Sequence, residues 1–442
     1  MKKNIPNINY TIKHDLCTGC GICQGACPSH AISVVAQEGM FRPVIETLKC
    51  NNSKGCHRCY DVCPGLGVDL HRMAEESFAE ENEQENEMVG RYLRCLTGYS
   101  NDSEIRFHAA SGGMISQFLV WLLENKKIDG AVVTKFDNSN PLMVSTFIAT
   151  TKDDILAARS SKYAPVTLSR VVQDVKNALG TRYVIVGVPC HIQGIRKLMN
   201  VDKQFCNKVV GLFSLYCSCG RNFNLTDFIL KERKIDRKNL QSFQYRDDGC
   251  LGYLKAKVSM QNVLLKPFNQ YADSCIEGDC QVYKEEFQSY YHPLRSFFVP
   301  RRCLFCVDHY GELADISFGD IHVEPYLKDK IGVNSIVVRK KIWLNSLLQC
   351  QKEGFVSLDE VPFEVVSKSQ RMSFKKKGRN VAFLKIAKKL GCVVPRYDID
   401  LSRKVSLHDW LDYAQNRIQQ FCGSHRVLWW FVSMFKAKIK IH

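Results

Sequence analysis

Apolar residues recur along the chain in two rhythms. After His108-Ala-Ala-Ser111-Gly112-Gly113, the run Met114-Ile-Ser-Gln-Phe-Leu-Val-Trp-Leu-Leu has a period near 3.6 and predicts a helix opening at a glycine turn. Ile128-Asp-Gly-Ala-Val-Val-Thr, Tyr183-Val-Ile-Val-Gly187 and Val209-Val-Gly-Leu-Phe-Ser-Leu-Tyr216 are short apolar runs, which predict buried strands. Between the last two, Cys190-His191-Ile-Gln193-Gly194-Ile-Arg196 opens a helix after a Gly-x-Pro turn. Strand, turn and helix alternate, so residues 90–170 and 171–345 are read as the two parts of one α/β domain. The polar stretches frame it. Residues 73–89 are crowded with Glu and are expected to be a charged, low-complexity tether.

Beyond that domain, residues 346–442 read as a basic, partly amphipathic helical tail. Leu401 to Phe421 predicts an amphipathic helix. His425 to Lys440 packs mostly apolar residues, Trp429 and Trp430 among them, between cations. A spanning helix needs about 20 apolar residues, and this run is far shorter. Two readings stay open for it: an interfacial helix on anionic lipid at the inner face of a membrane, or a helix docked on its own protein or on a neighbouring one.

Charge sharpens that boundary. The formal net charge is +16 over 442 residues, and from Val366 onward seventeen Lys and Arg face four Asp. The excess belongs to the tail and argues for a partner there. No nucleic acid is expected, because no recognition fold accompanies the charge. Apolar content of 45% is that of a globular chain of two or three domains. The first residues, Met-Lys-Lys-Asn-Ile-Pro, carry no apolar signal-peptide core, so a cytoplasmic location is expected.

There are 21 cysteines, and their spacing is of the metal type. Cys17-Thr-Gly-Cys20-Gly-Ile-Cys23-Gln-Gly-Ala-Cys27-Pro28 is C-x2-C-x2-C-x3-C-P, the bacterial ferredoxin run. Cys50, Cys56, Cys59 and Cys63-Pro64 form a second run. In such a pair the halves exchange a ligand. Cys17, Cys20, Cys23 and Cys63 are expected to hold one 4Fe–4S cluster, and Cys27, Cys50, Cys56 and Cys59 the other. Zinc also suits C-x2-C, but two such runs with x3 spacing argue against it. The second run departs from the simplest ferredoxins by opening C-x5-C, with Asn51 to Gly55 inserted. Residues 1–72 are therefore read as an α+β, ferredoxin-like two-cluster domain.

Further chemistry is scattered. Ser111-Gly112-Gly113 before a helix suits either a phosphate cradle or plain capping. Ser160-Ser161-Lys162-Tyr163 suits a flavin and its phosphates, or a surface loop. Cys190 at a helix N-terminus is expected to have a lowered pKa. Cys303-Leu-Phe-Cys306 is a lone C-x2-C; Cys190 with Cys217 or Cys219 would complete a set of four, with Cys275 and Cys280 competing. No G-x-G-x-x-G follows a strand, so a nicotinamide site has no support. Lys162, His191 and Asp320 are candidate catalytic groups.

These motifs in this order are similar to the family of beta subunits of the coenzyme F(420) hydrogenases and dehydrogenases, over roughly residues 10–340. The motifs are the two cysteine runs, Ser111-Gly-Gly, Ser161-Lys-Tyr, Gly-Val-Pro-Cys190-His-Ile-Gln193-Gly and Arg-Cys303-Leu-Phe-Cys306-Val-Asp…Asp315-Ile-Ser-Phe-Gly-Asp320. The resemblance implies FAD, held in part by Ser111 to Gly113, Ser160 to Tyr163 and Gln193. It also implies a third 4Fe–4S cluster on Cys190, Cys303 and Cys306. The family often has a cysteine where Ser214 stands, and Cys219 fits another form of the pattern. The implied partners are reduced ferredoxin or a similar carrier and a small organic substrate, with a link to polysaccharide synthesis in some members. An electron-transfer subunit without its own substrate is the alternative.

Overall fold

The computed structural model describes residues 6–81, 84–137, 139–260, 273–400 and 402–438. In the N-terminal module, β1 (Ile32–Gln37) and β2 (Met40–Ile45) pair antiparallel beside the short helices that carry the cysteines. Their hairpin turn, Glu38-Gly39, has positive φ at both residues, the twist a two-residue turn between right-handed strands requires.

Helix α1 (Leu70–Phe78) follows directly. Leu70, Met73, Ala74 and Phe78 recur on one face and are buried, while Glu75 and Glu76 face outward. Beyond it Gln84–Asn86 pairs with Gly90–Tyr92 as a hairpin. The described part of 73–89 is thus packed structure, not a tether: Glu75, Glu76, Glu80, Glu85 and Glu87 of its glutamates stand on the solvent face.

The main domain is an eight-stranded mixed sheet. Its strands are β3 (Arg94–Ser100), β4 (Gly130–Phe136), β5 (Val144–Ala149), β6 (Tyr183–Gly187), β7 (Val209–Leu215), β8 (Ile316–Asp320), β9 (Asn334–Val338) and β10 (Val356–Val361). Their spatial order is β10-β3-β9-β8-β7-β6-β4-β5, with β4, β6, β7 and β8 parallel at the centre. Alternate residues of β6 and β7 feed two cores, as a strand buried on both faces demands. Val184 and Phe213 join α2 (Met114–Glu124) and Trp343 on one face. Ile185 and Leu212 face α3 (Val171–Asn177), α4 (Pro189–Met199) and, beyond them, the N-terminal module. A separate antiparallel sheet of four strands lies between Leu240 and Glu286.

Residues 346–442 are no detached tail. β10 is an edge of the main sheet. Helix α5 (Val381–Lys389) buries Val381, Ala382, Phe383, Leu384, Ile386 and Ala387, and most of these join the same core as Ile185. Arg396–Tyr397 pairs in parallel with Gly67–Val68 of the N-terminal module. The amphipathic helix runs Leu407–Ser424 (α6), and α7 spans Trp429–Lys438. Leu401 and residues 439–442 lie outside the described residues. Trp429 is buried against Phe228 and Phe298, whereas Trp430 points out. Among the described residues no helix is long and apolar enough to cross a membrane.

The module docks tightly on α3 and α4. Cys20 O accepts from the Leu168 N–H at 2.8 Å, and Lys197 Nζ donates to Cys63 O at 3.2 Å and Gly67 O at 3.3 Å. A Cβ on Gly25 would sit 2.4 Å from Val172. Gly25→Ala is therefore expected to force the module off α3 and lower stability by about 1–3 kcal/mol, the usual cost of overpacking, read by denaturant unfolding.

Candidate functional site

Thiols of the two N-terminal cysteine runs act on one another across the runs: Cys63 on Cys20 and Cys23, and Cys27 on Cys59. Burial, then the thiols of Cys20, Cys17 and Cys63, holds the Cys23 thiol well above its usual range. Burial and Cys63 likewise push Cys20 up to about 12. In the second group burial, then Cys27, Cys56 and Cys50, raises Cys59 to about 11, even though the Ile8 N–H bond opposes it. The Asn51–Lys54 insertion forms a single 3-10 turn closed by Gly55 at φ +94°, so Cys50 and Cys56 still reach the same place. The Gly19 N–H points at Cys17 Sγ (3.4 Å) and the Ala31 N–H at Cys27 Sγ (3.3 Å). Eight thiols in two groups, six of them buried and several met by backbone N–H donors, fit two 4Fe–4S clusters, whose cationic iron would stabilise the thiolate form.

A cavity of about 1330 Å³ opens at the carboxyl ends of β6, β7 and β8, the usual ligand position in a sheet with a parallel centre. Most of the predicted cofactor residues line it, with altered roles. Ser111 Oγ donates to Val333 O at 2.9 Å and is buried. Ser111 does not cap α2: Gly113 is the N-cap, in the left-handed region, and Asn334 Oδ1 accepts from the Met114 N–H at 3.1 Å. Gly112 lies behind the wall, where a Cβ would meet Gly98 O and Asn334. The Ser160 hydroxyl donates to Arg246 O. Lys162 Nζ donates to the carbonyls of Ala158, Arg159 and Ser160 at 2.5–3.1 Å. Burial, with the Arg159 charge, draws Lys162 down to about 7. Tyr163 forms an aromatic wall with Phe287 and Tyr291, at ring distances of 5.4 and 4.5 Å. Ser161 also lines the cavity.

Gln193 Nε2 donates to buried Asp308 at 3.0 Å, so it orders the Cys306 turn as well as lining the cavity. Burial lowers His191 to about 4 and keeps its imidazole neutral. Asp320 is held by Arg246 at 2.9 Å, with His322 at 3.6 Å.

Five cysteines share the cavity wall: Cys190, Cys217, Cys219, Cys303 and Cys306. Cys190 is not acidified by its helix N-terminus. Burial outweighs the dipole, and the thiols of Cys217, Cys20, Cys303 and Cys306 raise it further. Burial, then Cys219 and Cys306, lifts Cys303 to about 11. The Gly220 N–H points at Cys303 Sγ (3.3 Å), and Arg221 lies 2.9 Å from Cys219 Sγ. Cys275 and Cys280 sit in the four-stranded sheet, away from this wall, and Ser214 is buried with its hydroxyl on Leu215 O. Cys20 of the first run is thus among the thiols whose charge acts on Cys190.

Sequence reasoning passed over several cavity groups. Arg246, almost fully buried, also donates to Leu251 O and Ala110 O. Lys376 and Asn380 come from the basic region read as a tail; the apolar run Val381 to Ala387 directly after them was the available signal that this region packs.

Residues 95–173 match the N-terminal part of the family described as coenzyme F(420) hydrogenase/dehydrogenase beta subunits, and residues 180–363 match its C-terminal part. Residues 16–68 match a 4Fe–4S dicluster domain. Among similar curated proteins, the coenzyme F(420)-dependent sulfite reductase of Methanocaldococcus jannaschii is 24% identical over 71% of this chain and 43% of that protein. The chain therefore spans less than half of that relative. The coenzyme F(420) hydrogenase beta chain of Methanococcus voltae is 24% identical over 69% of this chain and 99% of its own length. A chain of the F(420)-reducing nickel–iron hydrogenase complex from Methanosarcina barkeri has a similar fold, with TM-score 0.52 and 20% identity over 71% of this chain and 98% of that one.

Lys162 generates a pH prediction. Its folded value near 7 lies below the 10.5 of an unperturbed lysine, so between these pH values the unfolded chain holds more protons. Stability should rise with pH across that window and stay flat below it. Lys162→Met should abolish the rise, read by denaturant unfolding at stepped pH.

Proposed function

The chain belongs to the family of coenzyme F(420) hydrogenase/dehydrogenase beta subunits, as an iron–sulfur oxidoreductase or electron-transfer subunit, and on that premise we propose that it is an iron–sulfur flavoprotein that reduces or oxidises an organic substrate. FAD is assigned to the central cavity. The observation that carries this reading is the shared wall: Ser111, Ser160 to Tyr163 and the five cysteines line the same space, and the Cys20 thiol of the first group acts electrostatically on Cys190. Bound there, a flavin supplies two-electron exchange with substrate, and the clusters supply one-electron transfer.

Cys17, Cys20, Cys23 and Cys63 would hold the first cluster, and Cys27, Cys50, Cys56 and Cys59 the second. Cys190, Cys219, Cys303 and Cys306 would hold the third, with Cys217 in the same wall as the competing fourth donor. Cys50 and Cys56 are only half-buried, so the second group is the side where a ferredoxin-like carrier would meet the protein. Tyr163, Phe287 and Tyr291 give a flat apolar surface for a ring, and Lys162, near 7, is the proton-handling group we assign. A second reading, an electron-transfer subunit without its own substrate, is favoured by relatives that are themselves named as subunits. Turnover of substrate by the isolated chain with reduced viologen would remove it.

Anaerobic reconstitution tests the cofactor set. About twelve irons and a bound FAD are expected, and Cys303→Ala should lose about four irons while the N-terminal pair persists. A wild type that holds zinc, or that cannot retain flavin, would overturn the reading.

A further inference from the structure

Residues 372–380 lie past the end of the family match at 363, yet they reach the third cysteine group. The helical turn Met372–Lys375 widens into a π-helical turn over Lys376–Asn380. Such turns are frequent at functional sites. Here it aims two side chains, four residues apart, at the Cys303–Cys306 loop. Asn380 Nδ2 donates to Cys306 O at 2.8 Å. Lys376 Nζ donates to Asp308 O at 2.6 Å and lies 3.3 Å from Cys306 Sγ. Lys376 is 1% exposed. Its hydrogen-bond partners are a sulfur and a carbonyl oxygen, and the Asp308 carboxylate acts on it only from longer range, behind Cys306 and Cys217. A buried ammonium without a paired carboxylate is costly unless negative charge arrives by another route. Thiolates carrying an iron–sulfur cluster would supply that charge.

We propose that Lys376 is a positioning residue that raises the reduction potential of the third cluster by holding a fixed positive charge against Cys306. The inference rests on the third-cluster reading above. Reduction adds one electron to the cluster, and a cation a few ångströms away in a site shielded from water stabilises the reduced form over the oxidised one. The third cluster then becomes a better electron acceptor for the N-terminal pair beside it.

The test is a redox titration, followed by EPR and absorbance, of the anaerobically reconstituted full chain. Wild type is compared with Lys376→Gln and Lys376→Arg. Glutamine keeps an N–H for Asp308 O and removes the charge; arginine keeps the charge. The expected result is a more negative midpoint for the third cluster in Lys376→Gln, a midpoint near wild type in Lys376→Arg, and unmoved N-terminal clusters in both. Should the glutamine chain fail to hold the cluster, Lys376→Met is read in its place. An unmoved third midpoint, or an equal shift of all clusters, overturns the proposal alone. A wild type with only about eight irons overturns it together with the third-cluster reading.

Discussion

One buried guanidinium ties three distant parts of the chain together. Arg302 donates from Nε to Gly65 O at 2.8 Å and from a terminal nitrogen to Pro64 O at 3.0 Å and Tyr397 Oη at 2.6 Å. Pro64 follows Cys63 of the first cysteine group, and Cys303 of the third is the next residue after Arg302. A rigid, planar, permanently charged fork therefore sets the spacing between two groups of thiols, which a flexible lysine could not do. Tyr397 brings in the C-terminal segment through the same cation, beside the parallel pairing of Arg396–Tyr397 with Gly67–Val68. The N-terminal module is thus a fixed wall of the main domain, and electron transfer needs no domain swing.

Burial sets the chemistry of the site. Desolvation is the first cause of the raised values at Cys17, Cys20, Cys23, Cys59, Cys190, Cys217 and Cys303. Free thiolates are unfavourable in such places, so the groups favour occupancy by cationic iron over exposed reactive sulfur. The same burial keeps His191 and His309 neutral, both lowered to about 4. Arg221, Arg246, Lys376 and the Asp320 carboxylate are among the charged groups that line the cavity, each held by a named partner.

Much of this was legible in sequence where the determinants are local. The ferredoxin runs were, because ligand spacing is a property of a dozen adjacent residues. So were α2, β4, β6 and β7, whose apolar runs have the right periods, and the family, whose motifs stand in a recognisable order. Other features depend on long-range packing. The glutamates of 73–89 hid Met73, Ala74 and Phe78 on the inner face of α1. The cations after Val366 hid a segment that covers the cavity, since one buried lysine in a basic stretch carries no local mark. Cys217 and Cys219 both follow β7 and only the fold puts both on the wall. Ser111 looked like a cap and is not one, because Asn334, from a strand more than two hundred residues away, meets the Met114 N–H instead.

The electrostatic influence of Cys20 on Cys190 makes a magnetic prediction. Low-temperature EPR of the fully reduced, reconstituted chain tests it most directly. The expected spectrum shows spin coupling between the first and third clusters, and Cys303→Ala should remove that coupling while leaving the signal of the N-terminal pair. Three independent, uncoupled signals in the wild type, or a spectrum unchanged by Cys303→Ala, would contradict a relay that runs from the N-terminal module into the cavity.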